Sequence, residues 1–196
     1  VIILDNSSRP SVTDEIIDWE KLTVYRHKFN VGLSWNVVTP YLFCDTKWLW
    51  ILGDDDVIEP DAISIIKLNI FQHDVADVSM LKFSTTNETP DETDCIVNDY
   101  EGLVSYFSHN PCRSRSGNFI FISNSIFNME ALDQYISLAF EYSYSYVGFL
   151  VPVLKSLEDR GKIKFLSSRI VEHRLAEVGA FSYSKVALGM STLKHI

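Results

Sequence analysis

Trp48-Leu49-Trp50-Ile51-Leu52-Gly53-Asp54-Asp55-Asp56 decides how this chain folds. Five apolar residues in a row are the strongest strand signal of the first half. Such a run is predicted to lie buried and to deliver Gly53 and the aspartates to the carboxyl end of a strand. Open α/β sheets bind ligands at that edge. Three adjacent carboxylates repel one another, which makes one of them easier to protonate. A divalent cation removes that penalty, and hard oxygen ligands favour Mg2+ or Mn2+. Such an ion is useful beside a diphosphate, whose charge it neutralises. The competing reading is a solvated polar turn.

Outward from this stretch, strands and helices alternate. Pro60 is followed by a predicted helix over Asp61 to Phe71, and a strand over Val75 to Phe83 comes next. Upstream, Asn30-Val31-Gly32 leads into a helical stretch toward Phe43 that Pro40 interrupts. Leu22 to Tyr25 reads as a strand, Ser11 to Trp19 as a short helix, and Val1 to Leu4 as a buried strand. This order predicts an α/β fold: a mostly parallel sheet flanked by helices, with a Rossmann-like nucleotide-binding half. Residues 84–98 are polar and acidic and read as a surface loop or lid. Beyond it come a helix over Asp99 to Ser108, a buried strand over Gly117 to Ile122, a helix over Ser125 to Phe140 and another over Val147 to Arg160. A strand over Lys162 to Leu166 and a weakly patterned tail follow. Three segments of one domain are expected: 1–83 for nucleotide and metal, 84–98 as the polar loop, and 99–196 for the acceptor and the tail.

The 196 residues suit one domain. A formal charge of -9 argues against a nucleic-acid partner, because backbone affinity comes from Lys and Arg. A hydrophobic fraction of 46% excludes a disordered chain. Cys44, Cys95 and Cys112 are odd in number and lack metal spacing, which predicts a reducing, cytoplasmic setting. No run of eighteen apolar residues suggests a membrane span. The chain opens inside an apolar strand, so a further element is expected upstream of Val1.

Two more loops aim at the predicted ligand edge. Asp5 and Asn6 close the first strand, and an acidic residue there can accept hydrogen bonds from a base or ribose. An Asx-type turn explains Asp5 equally well. Gly32, in the Asn30 loop, can take a left-handed conformation or let a ligand approach the backbone. Arg26, after the second strand, could reach a phosphate or lie on the surface. Neither a P-loop nor a G-x-G-x-x-G motif is present.

Taken together, Val1 to Ser8, Asn30-Val31-Gly32, and Leu52 to Asp56 with Pro60 resemble the family 2 glycosyltransferases of the GT-A fold. The family's first strand is expected upstream of Val1. The resemblance implies an inverting transfer from a nucleotide-diphosphate sugar, UDP-linked, to an acceptor hydroxyl, assisted by Mn2+ or Mg2+. It implies that Asp5, Asn6, Asn30, Gly32, Asp54 and Asp55 meet the nucleotide sugar. Asp56, with Asp54 and His173, is implied as the metal ligand set. Glu141 stands where the family's Glu-Asp pair begins, with Tyr142 in place of the aspartate, and is the implied catalytic base. Asp133 is the fallback base. A carbohydrate or lipid-linked glycan acceptor is implied, which leaves room for peripheral contact with the inner face of a membrane. Tyr142, Tyr144 and Tyr146 could stack on sugar rings or pack in the core. The rival readings are a sugar-phosphate nucleotidyltransferase, an aspartate-based phosphatase, and a nucleotide-sugar-binding domain without activity.

Overall fold

The computed structural model describes residues 1–14, 20–71, 75, 77–85, 94–108 and 113–172. Its strands are β1 (Ile2–Asp5), β2 (Thr23–Arg26), β3 (Trp48–Trp50), β4 (Val57–Ile58), β5 (Val78–Ser84), β6 (Cys95–Val97), β7 (Ser125–Asn128), β8 (Lys162–Arg169) and β9 (Val171–Glu172). Its α-helices are α1 (Leu33–Val38), α2 (Pro40–Phe43), α3 (Ala62–Ile70), α4 (Tyr100–Ser108), α5 (Arg113–Ile120), α6 (Met129–Leu132), α7 (Ile136–Glu141) and α8 (Val151–Ser156). None of the described helices is long and apolar enough to cross a membrane.

The central sheet has five strands in the order β3-β7-β5-β8-β6. β5 lies in its middle, and all of its residues are buried, as both faces of an inner strand must be. Met80, Phe127, Ile163 and Phe165 join the larger core with residues of α1, α2 and α4 to α8. Val78, Leu81, Phe83, Ile126 and Leu166 meet Ala62 and Ile66 of α3 on the other face. Helices therefore cover both faces, and the α/β class holds.

The strand directions correct the expectation of a mostly parallel sheet. β5 and β8 are parallel, whereas β3–β7, β5–β7 and β6–β8 are antiparallel. β1 and β2 form a separate parallel pair, and β4 pairs antiparallel with β9. Hydrophobic periodicity gives the side-chain period of a strand but carries no sense of its direction. β3 has one neighbour in the sheet, so Trp48, Leu49 and Trp50 are half-buried where full burial was expected.

Other boundaries moved for identifiable reasons. Pro40 does not break one helix; it opens α2 directly after α1, at a position where its missing N–H costs nothing. Gly117 to Ile122 is not a strand. Most of it belongs to α5, which presents Phe119 edge-on to Phe107 at 5.4 Å. A four-residue apolar run suits a helix face as well as a strand. The strand lies further on, in β7, whose Ser125 and Asn128 are buried polar residues that hide it from a hydrophobicity reading. The helix expected over Ser125 to Phe140 therefore splits into β7, α6, a single 3-10 turn and α7. Within residues 84–98, Cys95–Val97 pairs with β8 as an edge strand.

Candidate functional site

β3 and β5 both run antiparallel to β7, so they point the same way, and β8 runs parallel to β5. Their carboxyl ends form one edge of the sheet. Gly53 and the aspartates emerge there from β3. Asp54 and Asp55 are exposed and Asp56 is half-buried. The turn is anchored from below. Gly53 donates its N–H to Ser123 Oγ at 2.8 Å, and Trp50 Nε1 donates to the Ser123 carbonyl at 2.7 Å. A Cβ on Gly53 would lie 2.9 Å from Asp56 Oδ2, 3.0 Å from Asp55 Oδ1 and 3.4 Å from Ser123 Oγ. Two carboxylate oxygens and a hydroxyl thus crowd a space that only glycine leaves open.

That donor set is entirely hard oxygen, which suits Mg2+ or Mn2+. Among the described residues no three His, Cys, Asp or Glu side chains gather as a metal cage. Mg2+ needs none, because it commonly takes one or two carboxylates and completes its shell with phosphate oxygens and water. The ladder of β4 and β9 has Val57 opposite Glu172, one residue after Asp56 on the first strand. His173, an expected metal ligand, lies outside the described residues.

A second group forms at the ends of β1 and β2. Asn6 Nδ2 donates to Asn30 Oδ1 at 3.1 Å, and Asn6 Oδ1 accepts from Val31 N at 2.8 Å. Asn30 Oδ1 also accepts the Gly32 N–H at 2.8 Å. Gly32 has φ +82°, a left-handed conformation that costs a glycine nothing, and its carbonyl accepts the first hydrogen bond of α1, from Asn36. Asn6, Asn30 and Gly32 are therefore gathered at one corner, on the β1–β2 pair that is separate from the central sheet. Asp5 belongs to the same corner but is 2% exposed. Its Oδ1 accepts from Ser8 N at 2.7 Å, and its Oδ2 pairs with Arg26. The Ser8 N–H and the Arg26 guanidinium hold the carboxyl down at about 2, against the opposing effect of burial. Asp5 thus supports the corner from inside. Arg26 also donates to Ser11 Oγ and to the Ser8 carbonyl, both at 2.8 Å, so its guanidinium is engaged locally.

An open cleft of about 410 Å3 begins beside this corner. Val31 to Trp35 form one wall, and Ser143, Tyr144 and Tyr146 form the other. The three tyrosines lie on neither a strand nor a regular helix. Ser143–Ser145 is a single 3-10 turn that ends at Tyr146 with φ 64°.

A family model described as glycosyl transferase family 2 matches residues 1–136. The chain belongs to glycosyl transferase family 2. No curated protein matches it. Membership makes it a glycosyltransferase-type domain for a nucleotide-sugar donor and an acceptor.

The family match covers the Asn6–Asn30 corner and the aspartate turn and ends before Glu141. The two candidate bases of this glycosyltransferase domain lie in different places. Glu141 is exposed at the end of α7. Its neighbour Phe140 meets Trp35 of the cleft wall edge-on at 5.4 Å, and the cleft residue Ser143 follows two positions later. Asp133 is exposed too, but it begins the turn Asp133–Tyr135, and the Tyr135 hydroxyl donates to Asp159. Asp159 lies just before the start of β8, where Lys162 pairs with Asp77 at 3.5 Å. That is the opposite end of the sheet from Gly53, so Asp133 is not brought to the aspartate turn. Sequence reasoning missed Ser123. A hydroxyl supplied by a distant loop leaves no local pattern.

Proposed function

We propose that this family 2 domain is an inverting, metal-assisted glycosyltransferase that uses a UDP-linked donor. The observation that carries the reading is the crowding of Asp55 Oδ1, Asp56 Oδ2 and Ser123 Oγ around Gly53 at the carboxyl edge of the sheet. In this reading the donor's base and ribose meet Asn6, Asn30 and Gly32, which Asp5 supports, and its diphosphate meets Asp54 to Asp56. A divalent cation held by Asp56 with Asp54 and His173 would neutralise charge on the departing diphosphate.

The acceptor occupies the cleft between Trp35 and Tyr144. Its hydroxyl oxygen attacks the anomeric carbon as the bond from that carbon to the diphosphate oxygen breaks, so the configuration inverts. The hydroxyl proton passes to Glu141 as general base. The exposed rings of Trp35 and Tyr144 beside serine hydroxyls suit a carbohydrate or the glycan part of a lipid-linked acceptor.

Calorimetry with UDP, with and without Mn2+, tests the reading on the wild-type chain and on Asp56→Ala. The expected result is Mn2+-dependent binding by the wild type and at least a tenfold loss in the variant, as metal ligands command. Equal binding by both proteins, or no binding by either, would sink the assignment. Donor binding without any transfer would leave a nucleotide-sugar-binding module instead of an enzyme.

A further inference from the structure

Lys82 is an unusual residue for the middle of a sheet. It lies on the central strand β5 and is 1% exposed. Its ammonium group donates to the Phe121 carbonyl, to Asn124 Oδ1 at 2.6 Å and to Ser125 Oγ at 2.8 Å. Burying a charge is costly unless hydrogen bonds offset it. An apolar side chain of equal length would fill the same volume without that cost, so packing alone does not call for a lysine, although the exchange would leave the Phe121 carbonyl, Asn124 Oδ1 and Ser125 Oγ without this donor. A lysine here therefore invites an explanation beyond packing.

Its acceptors supply one. Phe121 and Asn124 flank Ser123, the residue that holds Gly53 and the Trp50 indole. The same short loop is tied from its other side: Phe83 donates its N–H to the Asn124 carbonyl at 2.9 Å, and the Asn124 amide donates to the Phe83 carbonyl and to Asn118. Ser123 itself is fully buried. A rigid loop fixes where Ser123 Oγ stands, and Ser123 Oγ fixes the start of the aspartate turn. The chain of contacts runs from Lys82 through residues 121–124 to Gly53, which opens the turn that carries Asp55 and Asp56.

The geometry points to Lys82 as a positioning residue for the aspartate turn, acting through Ser123 and touching neither donor nor acceptor. This rests on the reading of that turn as the site for cation and diphosphate. Supporting groups behind metal ligands typically govern affinity by 10- to 100-fold, roughly the range expected here.

The test uses the full chain, UDP with Mn2+ as the probe, and the variants Lys82→Met, Ser123→Ala and their double. Methionine keeps the length of the side chain and removes its donors. Lys82→Met is expected to keep the wild-type circular dichroism and to lose about tenfold in affinity for UDP with Mn2+. Ser123→Ala is expected to lose a similar factor, and the double variant no more than the worse single, because both act through one contact chain. Hydrogen exchange at the Gly53 amide should quicken in both. In turnover the donor KM should rise while the acceptor KM stays. A merely structural defect would instead lower the active fraction and leave both KM values unchanged. A folded Lys82→Met with unchanged affinity overturns the role of Lys82. If that variant fails to fold, Ser123→Ala decides: unchanged affinity with unchanged Gly53 exchange overturns it. A wild type that binds no UDP overturns the donor reading itself, and the positioning role with it. Binding by the wild type beside an unimpaired Lys82→Met overturns the positioning role alone.

Discussion

Asp5 shows how much one residue's surroundings can change its meaning. A carboxylate closing a strand reads equally as a ligand acceptor or as a turn former. The structure buries it, gives one oxygen to Ser8 N and the other to Arg26, and leaves Asn6 and Asn30 to face outward. Its carboxyl is depressed to about 2 from an ordinary 3.8, first by the Ser8 N–H and then by Arg26. A folded-state value below the unfolded one means that the folded state binds protons less readily. The stabilisation is therefore complete above about pH 4 and is lost as pH falls through that value toward 2. Asp5→Asn should lower the melting temperature at pH 7 and bring it closer to wild type at pH 2. Thermal melts of both proteins from pH 7 to pH 2 check this. A gap between the two curves that stays constant across the acid range would count against it.

At the scale of elements, the cleft depends on how α1 and α2 are seated. Tyr41 of α2 donates its hydroxyl to the Phe149 carbonyl at 2.9 Å, inside the core, and its ring meets Phe127 of β7 at 5.7 Å. Burial pushes its phenol well above the ordinary value, so it stays a donor at every working pH. Tyr41→Phe keeps the packing and leaves a buried carbonyl without this donor, a change worth about 1–2 kcal/mol. For a chain of this size that is a fall of roughly 2–8 °C in melting temperature, measurable by calorimetry. No change would mean that Phe149 finds another donor. Elements of this kind were partly legible beforehand. Apolar runs closed by polar residues marked β3, β5 and β8, and Pro60 marked the approach to α3. β7 was not legible, because Ile126 and Phe127 are its only apolar residues, between the buried polar Ser125 and Asn128, and two residues are too short a run to mark a strand. α5 was misread for the converse reason: Phe119 to Ile122 is apolar enough for either structure, and only its packing against Phe107 and Phe165 decides. The aspartate turn could be read because its three residues are adjacent. Lys82 and Ser123 could not, because they come together only across the sheet.

At the scale of the whole molecule, the sheet has two ends, and the chemistry proposed here needs only one of them. β3, β5 and β8 deliver the aspartate turn and its supporting loop to their carboxyl edge. At the other edge Asp77 pairs with Lys162, and Ser156 Oγ donates to Ser79 Oγ at 2.8 Å. The Tyr135 hydroxyl, its acidity weakened to about 12 by burial and by its bond to Asp159, belongs to that edge as well. This makes it structural cement, and Asp133 stands beside it. α7 then carries the chain back from Asp133 toward the cleft, and Glu141 stands at its far end. The two carboxylates that sequence offered as bases are thus separated by a helix, with Asp133 next to the Tyr135–Asp159 contact and Glu141 next to the Phe140–Trp35 contact of the cleft. Glu141→Gln should cut transfer by about a hundredfold or more, the usual worth of a general base, while leaving Mn2+-dependent UDP affinity unchanged. Asp133→Asn should leave both transfer and affinity within about twofold of wild type, as surface changes away from a site do. Initial rates of sugar transfer, measured with calorimetric UDP binding on the same preparations, separate the cases. Loss of transfer in Asp133→Asn with Glu141→Gln unimpaired would reverse the assignment. It would also mean that the acceptor approaches from the edge where β5 and β8 begin.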